Sequence, residues 1–136
     1  MSDRRLHDFE DVTGRWNRVF NALAAEPRRR LVATLMDASD GGPVSLPEAA
    51  TSPPVRADPE RLVLELRHRH LPLLADADYV EWQSTPFTVS RGVRFAELEA
   101  VLDGLAANAA AVPTQLQADY HLFDRDSTRS SHRPGN

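Results

Sequence analysis

Residues 58–90 read DPERLVLELRHRHLPLLADADYVEWQSTPFTVS, and their hydrophobic period changes once, near residue 78. Before that point Leu62, Val63, Leu66, Leu73 and Leu74 share one helical face through about residue 77. Asp58 is placed to cap this helix, and Pro59 suits its first position. Pro72 interrupts the pattern. It removes the amide bond to the carbonyl of His68, so the helix is expected to kink or split there. After residue 78 the period becomes two. Residues 79–83 alternate as a strand, Ser84-Thr85-Pro86 reads as a turn, and residues 87–90 alternate again, giving a hairpin that ends near Gly92.

Upstream, Ser45 to Glu48 fits a capping box with Pro47 in the first turn, so a short helix is expected over about 46–51, after a short strand at Val44. Leu31, Val32, Leu35 and Met36 give a helix that begins at Pro27 and stops before Gly41-Gly42. Arg28-Arg29-Arg30 lies in its first turn, the wrong end for cations by the dipole rule, which hints that these arginines serve something else. Trp16, Val19, Phe20 and Leu23 mark a helix over about 13–25, with Thr13 as its N-cap. Downstream, Phe95, Leu98, Val101, Leu102 and Leu105 mark an amphipathic helix over about 94–108, and Pro113 ends any helical run. Leu116, Tyr120 and Phe123 suit a last short helix or packed tail. The expected organisation is an extension at 1–12, one domain with its C-terminal helix at 13–108, and a tail at 109–136 that is largely disordered after 124. The fold class is mainly α with a small β-hairpin wing. Helix, helix, short strand, short helix, long helix, hairpin, helix is the order of a winged helix-turn-helix.

The chain has 136 residues, a net charge of −4 and no cysteine, so disulfides, thiolate metal sites and cysteine nucleophiles are excluded. No apolar run approaches the roughly 20 residues of a membrane span, and the first residues lack the apolar stretch of a signal peptide, which points to the cytoplasm and to no membrane partner. All sixteen basic residues are arginine. They are unevenly placed: residues 1–30 sum to +2, whereas residues 95–126 sum to −5. A phosphate-binding glycine loop, a Ser-His-Asp arrangement and a carboxylate pair in a pocket context are all lacking, so an enzyme is not expected and no cofactor is implied. His68 and His70 stand two apart on a helix and point away from each other, which is not metal-ligand spacing. His70 falls near the apolar face and reads as a packed, hydrogen-bonded histidine, and no metal site is assigned.

Three segments carry a family resemblance. Phe20-Asn21-Ala22-Leu23 with Glu26-Pro27-Arg28-Arg29-Arg30-Leu31, then Val44-Ser45-Leu46-Pro47-Glu48-Ala49-Ala50, then His70-Leu71-Pro72-Leu73-Leu74-Ala75-Asp76-Ala77-Asp78-Tyr79-Val80-Glu81, resemble in order the signatures of ArsR-like winged helix-turn-helix regulators. The His-Leu-Pro form resembles the group abundant in salt-loving archaea. The resemblance covers about residues 15–90. Asp78 stands where the family usually has glycine, and the link at 52–57 is longer than the usual tight turn. The family's metal sensors rely largely on cysteines, so metal sensing is not carried over.

The resemblance implies a sequence-specific transcriptional regulator whose helix at 58–76 enters the major groove of double-stranded DNA. Outward positions there include Arg61, Glu65, Arg67 and His68, with Arg69 beside them. Arginine donates two hydrogen bonds to guanine, and His68 suits a phosphate or base. Arg91 and Arg94, at the base of the hairpin, are expected to reach phosphate. The other reading pairs Arg61 with Glu65 and makes these ordinary surface charges. A homodimer is expected, with Leu98, Val101, Leu102 and Leu105 as its contact unless that stripe packs on its own core. The alternative function is a winged-helix protein-interaction module without DNA binding, which the net negative charge and the acids Glu60 and Glu65 favour.

Overall fold

Helix α1 spans Ser2–Ala22 and α2 spans Glu26–Asp37. They belong to a computed structural model that describes residues 2–38, 40–51 and 58–117. α1 starts well before the expected residue 13, so Thr13 lies inside the helix and does not cap it. No proline occurs between Ser2 and Ala22, and nothing in that stretch compels a start at Thr13. The helix stops before Ala25, which is extended, with φ −131° and ψ 140°, and stands as the N-cap of α2. Pro27 then occupies the first turn of α2, where a missing amide costs nothing.

The short strand β1, Val44–Ser45, pairs antiparallel with β3, Thr88–Arg91, which also pairs with β2, Val80–Gln83. The sheet order is β1-β3-β2, so the expected hairpin gains a third strand. Val89 is its centre. It faces Val44 on one side and Trp82 on the other, and is buried. The capping box at Ser45 does not form, because Ser45 is paired in β1 to Thr88. A single 3-10 turn, Glu48–Ala50, follows Pro47 instead. The Thr34 hydroxyl donates to the Ala49 carbonyl at 2.9 Å and ties this turn to α2.

The long helix is three pieces end to end: α3 at Pro59–Glu65, a π-turn at Leu66–His70 and α4 at Leu71–Asp76. Asp58 caps α3 as expected, its carboxylate accepting from the Glu60 amide at 3.1 Å. Pro72 acts as expected but the outcome is specific. The backbone widens by one residue just before it, and the Leu71 amide reaches the Leu66 carbonyl. That extra residue resets the buried face to Leu62, Leu66, Leu71 and Leu74, and leaves Leu73 only partly buried.

The passage from α4 into β2 turns at Asp78, whose φ is 65°. This is a conformation that favours glycine, the residue usual here in the proteins that the sequence resembles; aspartate tolerates it better than most other residues. Gly92 is needed opposite: a Cβ there would lie 2.5 Å from the Asp78 carbonyl oxygen. Backbone bonds from the Gly92 amide to Tyr79 and from the Arg94 amide to Asp78, both 2.8 Å, close this junction. Helix α5, Phe95–Ala107, packs Phe95, Leu98 and Leu102 into the core; a 3-10 turn at Ala109–Ala111 and helix α6, Thr114–Gln117, follow. Pro113 separates them as expected. The architecture is thus mainly helical with one small antiparallel sheet. The expected packing of Tyr120 and Phe123, the disorder after 124 and the long link at 52–57 lie outside the described residues.

Candidate nucleic-acid interface

The charged side chains divide into those turned onto helix ends and those left in solvent. The last carbonyls of α1 lie at the negative end of its dipole; the Ala24 amide reaches that of Asn21 at 3.2 Å, and the rest of their accepting capacity is open to side chains. The arginines of the next helix meet them. Arg28 Nε donates to the Ala22 carbonyl at 3.1 Å and its Nη2 to the Asn21 carbonyl at 2.9 Å. Arg29 Nη1 donates to the Leu23 carbonyl at 2.7 Å. The cations that looked misplaced at the start of α2 are correctly placed for the end of α1. Arg28 is only 3 % exposed, and burial, then Arg69 and Arg29, lower its pKa.

The third nitrogen of Arg28, Nη1, lies 2.9 Å from His70 Nδ1. A guanidinium only donates, so His70 accepts and its proton sits on Nε2. His70 is the packed, hydrogen-bonded histidine expected from its place on the apolar face, and is 3 % exposed. Its pKa is lowered, first by burial and then by Arg28 and Arg69, with Glu65 acting the other way.

Arg91 is likewise turned inward. Its guanidinium donates to the Leu35 carbonyl at 2.7 and 3.1 Å and to the Met36 carbonyl at 3.2 Å, capping α2. It also lies 5.1 Å from the centre of the Phe95 ring and 3.9 Å from Glu99. This corrects the expectation that Arg91 reaches a phosphate: the end of α2 holds its donors. Arg94 is half-buried at the start of α5, and its backbone is tied to Asp78.

On the long helix, Arg61 is exposed and pairs with Glu65 at 3.6 Å, as the surface-charge reading anticipated. Arg67 is a bridge. Its Nη1 donates to Ser84 Oγ at 3.2 Å and its guanidinium stands 4.2 Å over the Phe87 ring. Phe87 in turn meets Trp82 edge to face, with centroids 6.3 Å apart. Arg67 therefore fastens the π-turn to the tip of the hairpin, a contact that no spacing rule reveals, since in sequence Ser84 reads as a turn residue and Phe87 as a strand residue. His68 and Arg69, within the π-turn, are exposed. This leaves an outward surface of Arg61, His68 and Arg69 beside a hairpin held by Arg67. It offers hydrogen-bond donors in the fixed fork that suits phosphate or guanine.

Of the two readings of the α5 stripe, packing on its own core accounts for most of it. Of the stripe on α5, Leu98 and Leu102 are buried in the subunit's own core, Val101 is half-buried against it, and Leu105 alone is exposed, at 45 %. The reason is that α5 lies against α2. On α1 the opposite happens. Val19 and Ala22 are buried, while Val12, Trp16 and Phe20, one turn apart, face solvent at 53, 49 and 62 %. Trp16 and Phe20 stack with centroids 5.6 Å apart. Between α1 and α5 runs an open groove of about 310 Å³ lined by Val12, Arg15, Trp16, Val19, Glu97 and Val101, and bridged by the Arg15–Glu97 ion pair at 3.2 Å.

Among the described residues no helix is long and apolar enough to cross a membrane, and no three His, Cys, Asp or Glu side chains are grouped to hold a metal ion. Comparison with protein-family models, with curated proteins and with solved structures finds no match for this chain.

Proposed function

We propose that the chain is a winged helix-turn-helix regulator that binds double-stranded DNA in the cytoplasm as a homodimer. The helix from Pro59 to Asp76 is its reading element and the β2–β3 hairpin its wing. The observation that carries this reading is the pairing of exposed donors with a braced neighbour. His68 and Arg69 face solvent within the π-turn, and Arg67 beside them is fixed to Ser84 and Phe87 of the hairpin. A helix and a wing held in one geometry present their donors with little ordering cost on binding. The passage at Asp78, with its left-handed backbone, sets the direction from one to the other.

The second subunit is assigned to the face formed by Val12, Trp16 and Phe20 of α1, with Leu105 of α5. Single exposed apolar residues are ordinary, but three in register on one helix beside an apolar groove mark an interaction surface. Two-fold pairing there would give two reading helices for two half-sites.

The test is binding of a fluorescent DNA duplex across a salt series. Affinity should fall steeply with salt, and Arg69→Ala should weaken it and reduce the slope of log K against log salt by about one. The interaction-module reading rests on the Arg61–Glu65 pair, which places an acid on the supposed reading helix, and on the net charge of −4. Salt-independent or absent DNA binding, together with capture of a second protein by the hairpin face, would favour it.

A further inference from the structure

Arg28 joins three parts of the molecule through one guanidinium: the last turn of α1, the first turn of α2, and the π-turn that carries His70. We propose that Arg28 and His70 form a proton-operated latch. Neutral His70 holds Arg28 on the carbonyls of Asn21 and Ala22, and protonated His70 expels it, loosening the last turn of α1 from the body.

The geometry makes the latch depend on a single proton. Arg28 Nη1 and His70 Nδ1 are 2.9 Å apart and only one of them can donate. Arginine does not give up its proton in a protein, so the contact exists only while His70 Nδ1 is bare. A proton on Nδ1 turns a hydrogen bond into two facing donors carrying like charge, in a place where both side chains are 3 % exposed and water cannot screen them. The groups facing His70 are Arg28 from α2 and, on its own helix, Arg69 and Glu65; two of these three are cations. From α1 the carbonyls of Asn21 and Ala22 enter, through Arg28.

Release is local. Leu23 remains held by Arg29, and Arg15 still pairs with Glu97 further up α1. What gives way is the bonding of Asn21 and Ala22, beside the exposed Phe20. The direction follows from linkage. The closed form disfavours the proton, so its His70 titrates below the ordinary value of about 6.5 and the open form titrates near it. The latch is fully closed above about pH 6.5. Below that, the ratio of closed to open form falls by at most about tenfold per pH unit until the pKa of the closed form is reached. The inference does not depend on DNA binding.

The experiment is NMR of the full chain labelled with nitrogen-15, from pH 8 to pH 5. Two-bond nitrogen–proton correlation reads the tautomer and midpoint of each of the five histidines. The expected result is a neutral His70 with its proton on Nε2, a midpoint below about 6.5, and amide shifts at Asn21–Arg29 that move with that midpoint. His70→Gln, whose amide oxygen accepts from Arg28 but does not titrate, should abolish the pH response of those amides. A proton on Nδ1 at neutral pH would overturn the latch. So would amides at Asn21–Arg29 that ignore the His70 midpoint, or that keep the wild-type response in His70→Gln. Should His70→Gln fail to fold, the wild-type tautomer and the match of midpoints decide alone.

Discussion

Two short stretches, Arg28-Arg29-Arg30 and Arg67-His68-Arg69-His70, look alike in sequence and behave differently in the fold. In the first, Arg28 and Arg29 are turned inward onto the carbonyls of α1, and Arg28 is buried. In the second, His70 is buried, Arg67 reaches across to the hairpin, and His68 and Arg69 stand in solvent. Composition does not separate them. What separates them is whether a helix end without partners lies within reach of the guanidinium. Three arginines, Arg28, Arg29 and Arg91, are drawn to such ends, at α1 and α2. The comparison teaches that a basic run is read first against the nearest helix C-terminus and only then against a ligand.

The sharpest way to break that comparison is Arg28→Ala. It leaves the Ala22 carbonyl and His70 Nδ1 without Arg28 in one step, while the Asn21 carbonyl keeps the Ala24 amide. At about 1–3 kcal/mol for each of these two buried groups left without a bond, less what water recovers, the loss should be roughly 2–4 kcal/mol by urea unfolding at pH 7.5. Arg91→Ala should follow with roughly 1–3 kcal/mol, since its site at the end of α2 is only half-buried. If both variants unfold like the parent, the inward arginines are no more structural than the outward ones.

A second pair sets the buried face of the long helix against its expected phase. Leu66→Ala and Leu71→Ala remove side chains that are wholly buried and should each cost roughly 2–5 kcal/mol. Leu73→Ala, on the same helix but only partly buried, should cost about 1–2 kcal/mol. Equal losses at Leu71 and Leu73 would mean that the helix runs through Pro72 without the π-turn. This is also where sequence reading stopped short. Proline's missing amide is visible in the chain and the disturbance at residue 72 was legible. Whether the helix kinks, splits or widens depends on what packs around it, and the burial of Leu71 in place of Leu73 followed from that choice. The cap at Asp58, the strands of the hairpin, the left-handed Asp78 and the buried His70 were legible because each is set by its neighbours along the chain. The Arg28–His70 contact spans 42 residues, and its traces, the misplaced charge at the start of α2 and a histidine on an apolar face, do not name each other as partners. The failure of the Ser45 cap was illegible for the same reason: pairing of β1 with β3 is a long-range event.

The stripes on α1 and α5 invite the same contrast. Leu102→Glu places a charge in the subunit's core and should leave no folded protein by circular dichroism. Trp16→Glu and Leu105→Glu alter exposed positions and should stay folded, with melting points within a few degrees of the parent. Light scattering over a concentration series should find the parent dimeric and both variants shifted to monomer. A monomeric parent would remove the second subunit from the proposed function and leave the groove between α1 and α5 without an assigned occupant.

The smallest effect on folding is expected at Arg69, and that is why it is the most informative position. Arg69 is exposed in the π-turn, and substitutions away from buried partners usually change stability by less than about 0.5 kcal/mol. Arg69→Ala should therefore unfold with the parent's midpoint. Its removal even takes a cation away from the buried Arg28 and His70, whose pKa values it lowers, so any stability change at pH 5–6 should be a small gain. Binding is where the loss should fall. If the outward donors meet DNA, losing one good base or phosphate contact costs roughly 1–3 kcal/mol, a fivefold to 150-fold weaker complex on a fixed duplex at low salt. Arg67→Ala separates contact from positioning. It frees the hairpin from the π-turn by breaking the Ser84 bond and the Phe87 stacking, so it should weaken binding while also raising the mobility of residues 84–87 in nitrogen-15 relaxation. Arg69→Ala should leave that mobility unchanged. A variant at Arg69 that folds, keeps a rigid hairpin and binds DNA as tightly as the parent would show that the outward half of this comparison is a solvated face and nothing more.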